Sequence, residues 1–184
     1  MSYRELLGKA QGSRFGIVKG AQGVGVMAAY SIGWAASPGE GLVKSCLLAQ
    51  AVSQSVVIEG INTHEVSQED DYAAGFNASF LVKYERVDVG YAEGKSTQAL
   101  IYAGELYRLP AAMPVGNNGG IKPTAFNPAL AEWSIARAGR QRYLCVSFNF
   151  DGLGRSGSFQ NVRGGFLLDS VSRVLYFFVR NVDG

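Results

Sequence analysis

His64 is the only histidine in this 184-residue chain, so any imidazole chemistry has to use it. A Cys46 thiol with His64 as its base would make a small Cys/His-dependent hydrolase, because thiolate attack needs a nearby base and an accessible sulfur. Cys46, however, falls about two turns inside an apolar helical stretch, away from the helix start where the dipole would lower its pKa. Cys46 and Cys145 are therefore both read as buried free thiols, small hydrophobes in the interior, rather than as a disulfide. No His-x-x-x-His or Cys-x-x-Cys spacing occurs, so no transition-metal site is expected. Glu69-Asp70-Asp71 could hold a hard cation, but three consecutive acids read first as a solvated loop. No catalytic residue, metal ligand or cofactor is assigned.

Two glycine-rich turns resemble phosphate-binding motifs without meeting their requirements. Gly20-Ala21-Gln22-Gly23-Val24-Gly25 has the spacing Gly-x-x-Gly-x-Gly. A dinucleotide turn needs Gly-x-Gly-x-x-Gly, since each glycine has its own task in the turn and in the approach to the pyrophosphate. Gly94-Lys95-Ser96-Thr97 resembles the end of a P-loop, but that motif needs a glycine five residues earlier, where Val89 stands. Both are read as turns.

Charge offers more. The formal net charge is only +2, which decides nothing about nucleic acid. Its distribution is uneven: Glu59, Glu65, Glu69, Asp70 and Asp71 share a window without Lys or Arg. Between residues 137 and 180, seven arginines (137, 140, 142, 155, 163, 173, 180) face only Asp151 and Asp169. Arg142, Arg155 and Arg163, with Phe159 in a Gly-rich loop and Tyr143 and Phe148 on the strand before it, combine phosphate-binding and base-stacking residue types. The plainer reading puts the aromatics in the core and leaves the arginines solvated or paired. Glu69, Asp70, Asp71, Arg142, Arg155, Phe159 and Arg163 are the candidate interaction residues. If the fold does not interleave the two charged regions, unlike faces attract and head-to-tail self-association follows.

These residues have to be positioned by a chain that is 47% apolar and 17% charged, with 24 glycines. Its length suits a single domain, residues 1–184, able to bury its own core. The central feature is a helix over 38–53, with Ser37 and Glu40 at capping-box spacing and Pro38 in the first turn. Its wheel is apolar nearly all round, which predicts burial. Asn127-Pro128 repeats the cap-then-proline pattern and predicts a second helix over 128–138. A short helix at 3–9 and strands at 15–18, 24–31, 55–61, 143–150, 165–168 and 174–179 complete the set. Period-two alternation over 76–91 predicts a half-buried strand paired with 97–109. Residues 65–71 read as an acidic loop and 110–123 as an exposed, aperiodic one.

The fold class expected is α+β: a mainly antiparallel sheet carrying a buried central helix and a second helix. Neither a signal peptide nor a membrane span is visible, which suggests a soluble protein of the cytoplasm or of an assembled particle. The functional expectation is a non-enzymatic, self-associating structural or accessory subunit, for example of a phage particle or a secretion apparatus. The alternatives are a nucleic-acid-binding domain built on the Arg-rich third and the Cys/His hydrolase.

Overall fold

A computed structural model describes residues 37–148 and 162–181, all within one compact unit of the chain. The helix expected at 3–9, the strands at 15–18 and 24–31, and the Gly20–Gly25 turn lie outside these residues. The described residues are 53% strand and 13% helical, with one α-helix and two sheets among them. The fold is sheet-dominated, which overturns the expected α+β arrangement with two helices.

The helix α1 spans Glu40–Leu47 and is followed by eleven strands. These are β1 (Val56–Gly60), β2 (Ser67–Ala73), β3 (Phe76–Tyr84), β4 (Val87–Gly94), β5 (Gln98–Tyr102), β6 (Glu105–Arg108), β7 (Met113–Val115), β8 (Glu132–Ala138), β9 (Gln141–Phe148), β10 (Val162–Asp169) and β11 (Leu175–Asn181). One sheet has the order β1-β8-β9-β10-β11-β7 and the other β2-β3-β4-β5-β6. Every pairing is antiparallel except that of β7 with β11.

The two sheets face each other across one apolar core. Phe80, Val82, Val89, Tyr91 and Leu100 from the five-stranded sheet meet Trp133, Ile135, Leu144, Val146, Phe166 and Phe177 from the six-stranded one. The most direct clamp is the stack of Phe80 on Trp133, with ring centroids 5.1 Å apart. The Trp133 indole N–H donates to the Pro128 carbonyl at 3.0 Å, so the buried ring leaves no polar atom unsatisfied.

That clamp explains why the predicted second helix is a strand. In Glu132–Ala138, Trp133 and Ile135 enter the core while Ser134 and Ala136 face the other way, a period of two. The Asn127 side chain does cap, accepting from the Ala129 N–H at 3.0 Å, but only a single 3-10 turn follows, Pro128–Leu130. The local signal started a turn, and burial of alternate side chains, against the other sheet on one face and beneath α1 on the other, took over from it.

Strands β9, β10 and β11 read as continuous apolar runs because both faces are covered. Their other side packs against α1, where Leu42, Val43, Cys46 and Leu47 meet Val56, Ala136, Tyr143, Leu167 and Phe178. The helix covers the sheet with one face and leaves Glu40 and Lys44 in solvent, so it is shorter and less enclosed than the 38–53 helix expected. Its N-cap is Gly39, not Ser37, with no side-chain bond. It ends where Ala49 takes a positive φ of 47°. The buried Ser45 hydroxyl closes that turn, donating to the Gly41 carbonyl at 2.8 Å and accepting from the Val52 N–H at 3.1 Å.

The two sulfurs meet between helix and sheet. Cys46 and Cys145 form a disulfide, their Cα atoms 5.5 Å apart and both side chains fully buried. The expected burial holds and the expected free thiols do not: the helix sets Cys46 over Cys145 on β9, 99 residues away in sequence.

Other segments are also more ordered than their sequence suggests. The run 76–91 is a hairpin, turning at Glu85 and Arg86 with φ of 45° and 71°, which suits a two-residue turn between twisted strands. Residues 97–109 form a second hairpin, β5 to β6. A bulge between Ala78 and Phe80 switches the face of β3. Phe76 and Ala78 thus share with Leu81 the other face of the sheet, in a buried cluster with Ala92, Ala99 and Ile101, while Phe80 and Val82 point into the core between the sheets. Gly90 lies against that bulge, where a Cβ would sit 2.1 Å from the Phe80 carbonyl oxygen, so only glycine fits. The acidic segment expected as a loop is strand β2. The loop expected over 110–123 contains β7 and is tied down by Asn118, whose side-chain oxygen accepts from the Val179 N–H at 3.2 Å.

Candidate functional site

The residues that could do chemistry are kept apart. Cys46 is bonded to Cys145 and buried, so it offers no thiolate. His64 is exposed on the loop after β1, its backbone N–H bonded to the Asn62 side chain at 2.9 Å. Among the described residues no group of three or more His, Cys, Asp or Glu side chains could hold a metal ion. A cleft of about 390 Å³ lies between the start of α1 and the β7–β11 edge. It is lined by Val43, Val115, Asn117 and Phe178 and by the Glu40 and Arg180 pair, whose closest atoms are 3.3 Å apart.

The expected segregation of charge is largely undone by the fold. Arg137 bridges Glu59 at 3.0 Å and Glu85 at 3.3 Å, and Arg142 meets Glu85 at 2.6 Å. Arg137 and Arg142 stand opposite each other on β8 and β9, while Glu85 is at the β3–β4 turn, so this cluster ties one sheet to the other. The bond from Glu85 raises the pKa of Arg142 further. Arg173 pairs with Glu105 at 3.1 Å. Arg163 stands opposite Arg180 on β10 and β11, its Nε buried without a hydrogen bond. Arg155 and Phe159 lie outside the described residues. Tyr143 and Phe148 are buried in the two apolar clusters, so neither offers a face for base stacking.

Glu69, Asp70 and Asp71 behave differently. All three are exposed on β2 and make no ion pair among the described residues. The strand is irregular, with register shifts between Ser67 and Glu69 and again before Ala73, and Asp71 has φ of 53°. An edge strand presents unpaired N–H and C=O groups, and charges and bulges of this kind keep it from pairing with another chain.

Among the described residues the sheets end in four edges: β2 and β6, β1 and β7. Three are guarded. β2 carries the acids and bulges, and β6 is four residues long between Glu105 and Arg108. β7 has three residues, one of them Pro114, and beyond it Asn118 takes the next β11 N–H. β1 has no such device. Val56-Val57-Ile58 runs in unbroken register with β8, and Val57 is 59% exposed. This edge is the feature that sequence reasoning missed. Its β-branched run was legible, but which strands lie at the margin is a property of the sheet order. Comparison with known proteins finds no matching family model, no similar curated protein and no similar solved structure. Among the described residues no helix is long and apolar enough to cross a membrane.

Proposed function

We infer that this chain is a self-associating structural or accessory subunit of a larger protein assembly, acting through contact surface and not through catalysis. The observation that carries the reading is the contrast, among the described residues, between one bare sheet edge and three guarded ones. Guarding is how a sandwich stays apart from its neighbours, so an edge left regular, β-branched and exposed is suited to pairing. The disulfide favours an oxidising setting, such as an assembled particle, over the cytoplasm, because intracellular thiols are kept reduced. Charge contributes less than the sequence suggested. Arg137, Arg142, Arg173 and Arg180 are already paired within the subunit, which weakens the head-to-tail attraction between acidic and basic regions.

The test is the mass of the purified chain in solution, by native mass spectrometry and light scattering, over a range of protein and salt concentrations. A salt-insensitive oligomer free of nucleic acid is expected. A monomer at high concentration refutes the reading. Copurifying nucleic acid that leaves as salt rises would replace it with the binding-domain alternative.

A further inference from the structure

We propose that β1 pairs antiparallel with β1 of a second copy, about a two-fold axis at Ile58, so that the six-stranded sheet continues from one subunit into the next. This rests on the self-association read above and names the contact. The backbone decides which groups are available. The Ile61 N–H donates to the Trp133 carbonyl, toward β8, at 2.8 Å. Successive residues of a strand alternate in direction, so the polar groups of Val57 and Glu59 also face β8, and those of Val56, Ile58 and Gly60 face away. The Val56 N–H confirms the alternation, since it is taken by the Ser53 carbonyl at 3.1 Å. Among the described residues, the Ile58 N–H and C=O, the Gly60 N–H and C=O and the Val56 C=O remain on the open side.

That set is self-complementary. With the axis at Ile58, Ile58 exchanges two bonds with its copy, and each Gly60 N–H meets the Val56 carbonyl of the other chain, about four main-chain bonds in all. The neighbouring register, with the axis at Glu59, would set Glu59 directly against its copy, and like charges opposite each other are disfavoured. The Ile58 register sets Glu59 against Val57 instead, covering that exposed valine with the glutamate stem. Val56 and Ile58 already belong to the apolar cluster beneath α1. Ile58 beside its copy carries that cluster across the axis and completes an isologous contact.

The full chain is used for the test. Ile58→Pro removes the outward N–H, a substitution that an edge strand accepts when that N–H faces solvent. It is expected to weaken the dimer at least about tenfold, a loss of about 1.4 kcal/mol, while circular dichroism and the melting transition stay near those of the parent. Should it unfold, Ile58→Cys keeps the proposal exposed to failure. Two Ile58 positions across the axis are close enough for a disulfide, so mild oxidation should give a covalent dimer, while Gly60→Cys should not. An oligomer that ignores both Ile58 variants, or that cross-links through Gly60→Cys alone, overturns the β1 contact and leaves self-association standing. A monomeric parent chain overturns both.

Discussion

Strands β1 and β2 are separated by only six residues in the chain and share one acidic window, yet they form edges of opposite character. On β1 the single acid, Glu59, is drawn into a pair with Arg137, and the rest of the strand is apolar and regular. On β2 the acids lie in solvent on a bulged backbone, without an ion pair among the described residues. A run of like charge therefore has no fixed meaning in sequence. Where a neighbouring strand supplies an arginine it is structural. Where the strand lies at a margin it is a guard against wrong pairing.

The comparison holds only while the sheets carrying these edges stay clamped, and the largest effect should come from the clamp. Trp133→Ala removes the partner of Phe80 and opens a cavity beneath β8. It is expected to cost about 3–5 kcal/mol in chemical denaturation and to release β1 with it. A loss under about 1 kcal/mol would mean that the Phe80 stack does not hold the sheets together.

Next comes the link that fixes α1 above β9. Replacing Cys46 and Cys145 together by alanine should cost about 2–5 kcal/mol, because the bond closes a long loop in the unfolded chain. Reductant should lower the melting temperature of the parent and leave the double variant unchanged. Labelling of either cysteine in the native, unreduced protein would show that the bond is not formed.

Removing the guard on β2 tests the other edge. Glu69→Val with Asp70→Val should change stability by less than about 0.5–1 kcal/mol, as exposed substitutions do. It should nonetheless produce concentration-dependent growth of particles by light scattering, since β2 would then present an edge with Asp71 as its one remaining charge. If particle size is unchanged, the bulges and Asp71 suffice to protect it. The smallest effect is expected at Glu85, whose partners Arg137 and Arg142 are all partly exposed. Glu85→Gln should cost about 0–1 kcal/mol and less at high salt. A larger, salt-independent loss would give this cluster a greater part in joining the sheets than its exposure implies.

Much of the strand content was legible. The alternation over 76–84, the β-branched 56–58 run and the apolar stretches at 143–148, 165–168 and 175–179 each announce side chains that must leave water. Asn127-Pro128 was legible too, but only as one turn, since a cap fixes where a helix can begin and not whether it continues. The candidate site was hardly legible. Arg142 was singled out for its charge, and its partner Glu85 lies 57 residues away on the other sheet.

By itself the sequence determined which residues avoid water, where the chain turns, and that both cysteines lie in the interior. Those are local properties, set by side-chain chemistry and backbone preference over a few residues. Tertiary structure alone decided that the cysteines bond, that Arg137 and Arg142 neutralise Glu59 and Glu85, and that among the described strands β1 is left bare at a margin while β2 is guarded. Each depends on which distant segment becomes a neighbour. Burying apolar faces from both sheets in one core selects those neighbours, and no stretch of the chain carries that choice on its own.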